Sequence, residues 1–302
     1  MSLLVVGSLA LDTIETPERT EASVLGGSGT YFSTAASLLT RVRLVGVVGR
    51  DFPEEHVSYY RSRDIDLRGL ERSLGKTFRW HGKYEGDLND AHTISVELNV
   101  LADFAPELPP EYRDSRFVFL ANGHPATQRR VLDQLESPEF TLLDTMNLWI
   151  ETTRQELLDL LPSVDGLIVN HHEALQLTGC HQVLNAAHEI LKMGPRIAVV
   201  KKAEDGAVLA TRDSFFALPA FPVMRVQDTT GAGDSFAGGF MGYLASRCGG
   251  REVTDADLRQ ALLYGTIIAS FNVEGFALER LRAITLQEVE ERKERFLKMI
   301  LP

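Results

Sequence analysis

The sequence predicts a doubly wound α/β fold, in which helices flank a mostly parallel sheet. Three observations lead to this prediction. Short apolar runs rich in β-branched residues alternate with segments of helical spacing along the chain. These runs are continuously apolar, which is typical of parallel strands buried on both faces. The chain of 302 residues is long enough for one large domain, and we expect a single domain over 1–302.

The predicted elements follow one another in a regular order. The first strand is a Leu-Leu-Val-Val run with no basic segment before it, which is typical of a buried strand and not of a signal peptide. The predicted strands are 3–7, 43–48, 116–120, 140–144, 166–170, 197–201 and 206–210. The predicted helices are 29–40, 53–62, 126–136, 152–161, 171–178 and 182–193, followed by a charged amphipathic helix over 286–299. Right-handed crossovers would join the strands into one sheet.

The segment 77–100 departs from this order, because apolar and polar residues alternate on both sides of a turn-like stretch, 85–90. The pattern predicts an antiparallel hairpin. A β-ribbon inserted into an α/β body is a candidate lid, with one face over a pocket and the other in water. We therefore expect lid elements around 10–25 and 77–100. The alternative is an edge hairpin without a moving part.

Composition and charge exclude several classes of protein. Hydrophobic residues make up 44% and charged residues 24%, which is typical of a folded chain and not of a disordered one. The net charge of −11 and the lack of a Lys/Arg-rich run argue against a nucleic-acid partner. No apolar run approaches the roughly 20 residues that span a bilayer, so we expect no membrane association. Only Cys180 and Cys248 are cysteines, which indicates a reducing compartment and a cytoplasmic location.

The most informative stretch is the glycine-rich segment 228–240. Its first half reads as a loop, and small and apolar residues recur at helical spacing from Ala232 onward, so the glycines lie where a helix begins. The N-terminus of a helix offers unpaired backbone N–H groups and a partial positive charge. Gly231 and Gly233 let a phosphoryl group approach these amides closely. The segment therefore predicts an anion hole.

Asp234 follows directly on this loop and has two interpretations. A carboxylate in the first turn of a helix is stabilising in itself by about 0.3–1 kcal/mol. A carboxylate beside an anion hole can also accept the proton of an alcohol while the amides hold the phosphoryl group that the alcohol attacks. Spacing alone leaves both interpretations open.

Other catalytic motifs do not fit the sequence. No Lys-Ser/Thr pair follows the glycines as in a Walker A loop, and Ser28 lacks the second flanking glycine of a nucleophile elbow. The first strand is not followed by the glycine fingerprint of a dinucleotide-binding unit, which argues against a nicotinamide-dependent oxidoreductase. The sequence also lacks the HExxH, paired CxxC and EF-hand patterns of metal sites.

With these motifs, the sequence resembles the ribokinase/phosphofructokinase-B (pfkB) family of sugar and nucleoside kinases over roughly 3–275. Residues 228–234 match its Asp-Thr-x-Gly-Ala-Gly-Asp signature in full, and Gly26-Gly27 matches an early Gly-Gly pair. Asn170 to Glu173 matches its Asn-x-x-Glu motif, and Asp12 matches an acidic residue that grips substrate hydroxyls. The resemblance implies a ribokinase-like fold with a small β-sheet lid.

The resemblance also implies an activity, the transfer of the γ-phosphoryl group of ATP to an alcohol. By matching position, Asp234 would be the general base, and Gly231, Ala232 and Gly233 the anion hole. Asn170 and Glu173 would hold Mg²⁺ through water. Asp12, Gly26 and Gly27 would bind the acceptor. The implied cofactors are ATP and Mg²⁺, and a monovalent cation such as K⁺ is compatible with the family.

For the nucleotide, the resemblance assigns the segment 201–206, where Ala203 replaces the first glycine of a Gly-x-x-Gly pattern. Lys201 or Lys202 would reach the phosphates, although strand-end lysines are also commonly just solvated. Gly206 would lie near the nucleotide or simply serve a hairpin turn. Asn272 would lie near the adenine.

One departure from the family bears on the acceptor. The family's sugar kinases place Asn five residues after the first glycine of the Gly-Gly pair, and Tyr31 stands there instead. An aromatic ring can stack on a sugar or a base. We expect a sugar or sugar acid as acceptor, with an adenosine-type nucleoside as the alternative and a catalytically silent binding protein as a weaker one. A homodimer through the lid is a further expectation from the family.

Overall fold

The computed structural model describes residues 2–86, 88 and 91–301. In this part of the chain the strands are β1 (Ser2–Val6), β2 (Ala10–Glu15), β3 (Thr20–Gly26), β4 (Arg41–Val48), β5 (Asp66–Arg72), β6 (Arg79–Tyr84), β7 (Ala91–Glu97), β8 (Phe117–Leu120), β9 (Phe140–Asp144), β10 (Gly166–Asn170), β11 (Ile197–Lys201), β12 (Ala207–Thr211) and β13 (Phe215–Leu218). The helices are α1 (Ser28–Ala36), α2 (Glu54–Ser62), α3 (Pro125–Leu132), α4 (Asn147–Thr152), α5 (Arg154–Leu160), α6 (His171–Thr178), α7 (Val183–Lys192), α8 (Ala232–Arg247), α9 (Asp255–Asn272), α10 (Glu279–Ala283) and α11 (Leu286–Ile300).

The larger sheet has nine strands in the order β13-β12-β11-β10-β9-β8-β1-β4-β5. From β5 to β11 all neighbours are parallel, whereas β12 and β13 pair antiparallel at one edge. The central strands β8 and β9 are buried along their whole length, which explains their continuous apolar sequence. The predicted doubly wound, mostly parallel sheet is therefore confirmed.

The predicted strands agree with the structure to within two residues at each end, and three further findings correct the prediction. The strands β5 and β13 were not predicted, and β2 and β3 were expected only as lid elements around 10–25. The predicted helix 152–161 is two helices, because the chain leaves helical geometry at Thr153 (φ −133°) between α4 and α5. The strand predicted over 206–210 pairs antiparallel with β11, so it belongs to a hairpin and not to a βα unit.

A second, smaller sheet has the order β3-β2-β6-β7. It joins two antiparallel hairpins, β2/β3 and β6/β7, through parallel pairing of β2 with β6. The predicted hairpin over 77–100 is therefore one half of a sheet whose other half comes from 10–26. In the predicted turn 85–90, Asp87, Asn89 and Asp90 lie outside the described residues.

The helix that begins after the glycine-rich loop is held by very close packing. α8 packs against both α1 and α9. A Cβ at Gly238 would lie 2.5 Å from Phe32 O of α1, and one at Gly239 would lie 2.8 Å from Tyr264 O of α9. Because both contacts are to backbone, larger residues here would push the helices apart. The small residues of α8 thus fix where its first turn lies. None of the helices in the described ranges has the length and apolar character required to cross a membrane.

Candidate active site

The candidate site lies where three parallel strands end side by side. β9 ends at Asp144, β10 at Asn170 and β11 at Lys201, and Asn170 is in register with Lys201. In open α/β sheets, ligands bind outside the carboxyl ends of the strands. The first turn of α8 reaches the same place, because a Cβ on Gly233 would lie 2.9 Å from Lys201 Nζ. The sheet therefore brings charged strand ends to the glycine-rich helix start.

The start of α8 presents unpaired backbone amides. Gly231 caps the helix in the left-handed conformation (φ 71°, ψ 7°), and no side chain caps it. The amide of Ala232 donates to Thr229 O at 3.1 Å, and that of Ser235 donates to Gly231 O at 2.8 Å. Among the described residues, nothing accepts a hydrogen bond from the amides of Gly231, Gly233 and Asp234. The amides left for an anion are therefore those of Gly231, Gly233 and Asp234, whereas the predicted set contained Ala232, whose amide is already bonded.

Asp234 lies half-buried beside these amides. Burial, together with the negative charge of Asp144, raises the pKa of Asp234 to about 7, although Lys201 opposes the shift. A carboxyl with a pKa close to neutrality can accept a proton and release it again at physiological pH. The environment of Asp234 is thus suited to a general base.

Lys201 supplies positive charge to the site. Its Nζ lies 3.9 Å from Asp144 Oδ1, and its side chain is 15% exposed. Burial lowers the pKa of Lys201, but Asp144, Glu173 and Asp234 more than offset this effect, so the pKa lies above its ordinary value. The lysine is therefore a fixed cation facing three carboxyl groups.

Asn170 and Glu173 form a capping box at the start of α6. Glu173 N donates to Asn170 Oδ1 at 2.8 Å, and Asn170 N donates to Glu173 Oε2 at 2.7 Å. Burial, followed by the charge of Asp144, raises the pKa of Glu173 to about 7, and burial also raises the pKa of Asp144. Three carboxyl groups, those of Asp144, Glu173 and Asp234, thus face one lysine, and burial makes their charged forms costly.

The excess negative charge bears on metal binding. Within the described ranges, no three His, Cys, Asp or Glu side chains converge closely enough to form a ready-made metal site. Mg²⁺ commonly takes one or two carboxylates and completes its shell with water and substrate phosphates. Glu173 and Asp144 offer such carboxylates, and a divalent cation would compensate the charge that Lys201 leaves. These residues therefore fit Mg²⁺ held with water and phosphate.

A second group of polar residues surrounds Asp12 on β2. Asp12 is 3% exposed, and its Oδ1 has no hydrogen-bond partner among the described residues. Burial raises the pKa of Asp12 to about 7, opposed by the backbone amides of Trp80 and Gly27. A Cβ on Gly26 would lie 1.9 Å from Asp12 Oδ2, so only glycine lets the carboxyl occupy this position. An unpaired buried acceptor of this kind is suited to a ligand hydroxyl.

Tyr31 of α1 connects this group to the anion hole. Its ring lies against Gly231, since a Cβ on that glycine would lie 2.2 Å from Tyr31 Cγ. The residue is 1% exposed and its hydroxyl has no partner in the part of the chain that the structure describes. Tyr84 of the smaller sheet is close enough to interact electrostatically with Tyr31, and its ring centroid lies 6.4 Å from that of Trp80. Unpaired polar atoms and aromatic rings thus occur together beside Gly231.

Three residues that the resemblance assigns to the nucleotide have other partners in the structure. Lys202 points to Asp205, with its Nζ 3.7 Å from the carboxylate, and not to the carboxyl cluster. Gly206 (φ 87°) closes the tight turn between β11 and β12, where Lys202 N donates to Gly206 O, which agrees with the hairpin-turn alternative. Asn272 is completely buried and donates to Thr230 O at 2.8 Å. A nucleotide cannot reach Asn272 in this conformation, because its amide supports the loop before α8.

Sequence reasoning did not assign a role to two residues that the structure places at the site. Asp144 entered the sequence analysis only as the last residue of the predicted strand 140–144, although its position at a strand end next to β10 could have indicated its place. Thr230 was included in the motif but not explained. Its hydroxyl donates to Asp228 Oδ1 at 2.7 Å, and it lies 2.9 Å from the hydroxyl of Tyr84. No local sequence signal predicts this contact, because Tyr84 lies on the smaller sheet, far from Thr230 in the sequence.

Similarity to known proteins agrees with this geometry. The family model for pfkB family carbohydrate kinases matches residues 2–278. A cytidine kinase of Thermococcus kodakarensis is 31% identical over 255 residues, which cover 82% of this chain and 90% of that protein. The crystal structure of Methanocaldococcus jannaschii nucleoside kinase, an archaeal member of the ribokinase family, aligns with a TM-score of 0.78 and 22% identity over 97% of this chain and 98% of that one. Arabidopsis thaliana ribokinase, complexed with ribose and ATP, aligns with a TM-score of 0.77 and 20% identity over 97% and 98%.

Proposed function

Because the chain belongs to the pfkB family of carbohydrate kinases and is a phosphotransferase that acts on hydroxyl groups, we propose that it phosphorylates a nucleoside with ATP. The observation that carries the proposal is the position of Gly231, which opens the helix of Asp234 and lies against the ring of Tyr31. Asp12 is close enough to interact electrostatically with both Asp234 and Tyr31. An acceptor bound at Asp12 would thus lie next to a phosphoryl group bound at the amides.

In the proposed reaction, Asp234 takes the proton of the acceptor hydroxyl as its oxygen attacks the γ-phosphorus of ATP. A new O–P bond forms, the bond between the γ-phosphorus and the bridging oxygen breaks, and ADP leaves. The amides of Gly231, Gly233 and Asp234 hold the equatorial oxygens, and Lys201 compensates their charge. When bound near Glu173 and Asp144, Mg²⁺ would supply further charge compensation for the phosphates.

The choice of a nucleoside rests on two observations. The relative that is 31% identical and covers most of this chain is a cytidine kinase. Aromatic residues occur near Asp12: Tyr31 stands where the family's sugar kinases have Asn, and Trp80 and Tyr84 lie on β6, the strand that pairs with β2. A planar base can stack on such rings, whereas a small sugar gains less from them. This reverses our order of expectation, which put a sugar or sugar acid first.

A free sugar remains the second candidate acceptor. It is favoured by the similarity in fold to a ribokinase that was crystallised with ribose and ATP. A panel of cytidine, other nucleosides, ribose, fructose and a sugar acid, each supplied with Mg·ATP and followed by ADP release, separates the two candidates. Running the panel in KCl and in choline chloride tests dependence on a monovalent cation, which rests on the family resemblance alone.

Asp234→Asn tests the mechanism. A positioned base contributes about 10²–10⁴-fold to rate, so we expect a loss of that size with the protein still folded. Asp213→Asn is the matched control, because it removes the same charge from an exposed turn between β12 and β13. Asp12→Asn should raise KM for the acceptor and leave KM for ATP unchanged. Normal turnover by the Asp234 variant, or no turnover of any alcohol by the wild type, would refute the proposal.

A further inference from the structure

The smaller sheet is bonded directly to the loop before the anion hole. Tyr84, at the end of β6, has its hydroxyl 2.9 Å from Thr230 Oγ1. One residue earlier in the loop, the hydroxyl of Thr229 donates to Leu88 O. Tyr84 and Leu88 also pack with Ile14, Phe276 and Ala277 in a small apolar cluster. Among the described residues, the sheet thus contacts the loop before α8 through these two side-chain hydrogen bonds, and it contacts the segment after α9 through the apolar cluster.

The direction of these bonds follows from the number of hydrogens. Thr230 Oγ1 lies 2.7 Å from Asp228 Oδ1 and 2.9 Å from the Tyr84 hydroxyl, but it carries a single hydrogen. Because a carboxylate only accepts, Thr230 donates to Asp228 and Tyr84 donates to Thr230. Asp228 is held in turn, since its Oδ2 accepts from Ala277 N at 2.7 Å. The result is a directed chain from Tyr84 through Thr230 to Asp228.

This chain fixes the peptide plane that carries one of the unpaired amides. Thr230 N donates to Asp228 Oδ1 at 2.8 Å, and Thr230 O accepts from Asn272 Nδ2 at 2.8 Å. The carbonyl of Thr230 and the N–H of Gly231 belong to the same planar peptide and point in opposite directions. Holding Thr230 at its amide, hydroxyl and carbonyl therefore orients the Gly231 amide toward the anion hole.

The smaller sheet also has to move for an acceptor to enter. Asp12 is 3% exposed and Tyr31 is 1% exposed, so the described conformation leaves no open path to the groups that would bind the acceptor. The ion pairs at the rim, Arg19 with Glu279 and Arg225 with Glu18, lie on exposed side chains and contribute little to holding the sheet. A third pair, Arg79 of β6 with Asp51 at 3.0 Å, joins the sheet to the segment after β4. On the side of the glycine-rich loop, opening would break the contacts of Tyr84 and Leu88.

We propose that Tyr84 is a positioning residue, which makes the orientation of the Gly231 amide depend on closure of the smaller sheet. The inference rests on the proposed function, since it concerns the amides that hold the migrating phosphoryl group. When the sheet opens, Thr230 loses the bond from Tyr84 and the peptide before Gly231 is less constrained. The anion hole is then complete only when the acceptor is enclosed, which disfavours transfer of the phosphoryl group to water.

Steady-state kinetics of Tyr84→Phe, Thr230→Val and Thr230→Ser test this coupling. The Tyr84 variant loses one hydrogen bond, so we expect kcat about tenfold lower with KM for ATP within about twofold. Thr230→Ser keeps the hydroxyl and should retain wild-type kcat. In the double variant, Tyr84→Phe should add nothing to Thr230→Val, because the two substitutions remove the same bond. A wild-type kcat for Tyr84→Phe, or additive losses in the double variant, would overturn the inference.

Tyr112→Phe is the matched control. Tyr112 is also buried and donates one hydrogen bond, to Asp66 O at 3.0 Å. It belongs to the hydrophobic core on the face of the larger sheet opposite α8. If Tyr84 only stabilised the fold, both variants would lose thermal stability and neither would lose kcat per folded molecule. An equal loss of kcat in both variants would also overturn the inference.

A readout without turnover separates this inference from the proposed function. Amide hydrogen exchange is measured on peptides covering 79–84 and 226–236 in the wild type, Tyr84→Phe and Tyr112→Phe. We expect faster exchange of both peptides in the Tyr84 variant alone. If the wild type phosphorylates no alcohol but this exchange pattern appears, the proposed function fails and the coupling stands. If only 79–84 exchanges faster, the contact is local and the coupling is refuted.

Discussion

Two glycines of the anion hole, Gly231 and Gly233, should respond to the same substitution in opposite ways. In Gly231→Ala the new Cβ would lie 2.2–2.4 Å from three ring atoms of the buried Tyr31, and the residue would hold φ 71°. In Gly233→Ala the nearest neighbour would be Lys201 Nζ at 2.9 Å, the end of a flexible side chain, and φ is not positive. The pair therefore separates folding stability from binding of the phosphoryl group.

The magnitudes follow from these contacts. A left-handed conformation costs a non-glycine residue about 1–2 kcal/mol, and forcing a buried ring to move typically costs about 1–3 kcal/mol. We expect Gly231→Ala to lower the free energy of unfolding by about 2–5 kcal/mol. Gly233→Ala lies in the first turn of α8, where alanine is a better helix former by up to about 1 kcal/mol, so stability should be unchanged or higher. Its methyl group would instead displace Lys201 and cover the amides, and we expect kcat/KM to fall by about 10²-fold or more.

Urea denaturation measures the first effect and ADP release with the best acceptor measures the second. Denaturation with the same m-value in both variants shows that the unfolding reaction is comparable. Gly179→Ala is a useful control for the conformational cost alone, because its φ is 73° and a Cβ there would meet no atom within 4 Å. Wild-type kcat/KM in Gly233→Ala would show that no phosphoryl group approaches this helix start, and the reasoning about the site would be refuted.

Three further predictions concern charge and assembly. Activity should fall as pH drops through about 7, because Asp234 must be unprotonated to act as a base. Replacing Lys201 with Met should move this acidic limb to higher pH, since the ammonium group lowers the pKa of Asp234. An unmoved limb in the pH profile of kcat/KM would contradict this. Asp234→Asn should stabilise the protein by up to about 4 kcal/mol at pH 8 and not at pH 3. The pKa of the carboxyl rises from 3.8 to about 7 on folding, so the folded protein is destabilised as pH rises through that range and the carboxyl loses its proton. Equal thermal shifts at both pH values would contradict this. Ile94 and Val96 of the edge strand β7 are 52% and 49% exposed, so we expect a homodimer that forms through β7. The substitution Val96→Glu should convert this dimer to a monomer. A wild type that is monomeric by light scattering would refute the prediction.

The central strands could be predicted from the sequence because burial on both faces leaves a continuous apolar run. The strands that were missed lie at sheet edges or in the smaller sheet, where this signal is absent. β5 has the sequence Asp-Leu-Arg-Gly-Leu-Glu-Arg and lies at one edge, and β13 has only four residues and lies at the other. β3 is exposed over most of its length. Pairing partners far along the chain, and not local pattern, determine that these segments are strands.

The residues of the candidate site also fall into two groups, those with a local sequence signal and those placed by tertiary contacts. The helix start at Gly231 and the place of Asp234 in its first turn are local features that spacing indicated, whereas the role of Asp234 and the pair Asn170 and Glu173 came from the family resemblance. The separation of Lys201 from Asp144 depends on which strands are neighbours, and the choice between Lys201 and Lys202 depends on which side of β11 each one faces. The placement of Asn272 inside the protein follows from the packing of α9 on α8. These contacts arise from tertiary structure and have no signature in a single sequence.

Gly231 links three parts of the molecule that are distant in sequence. Its amide is unpaired at the anion hole, the ring of Tyr31 lies against its Cα, and the peptide before it is held by Asn272 and, through Thr230, by Tyr84. A change in the acceptor pocket at Tyr31 would therefore shift the backbone that holds the phosphoryl group, as would a change in the smaller sheet. In the proposed function, acceptor recognition and phosphoryl binding share one glycine, so substitutions that alter the choice of acceptor at Tyr31 should alter kcat together with KM.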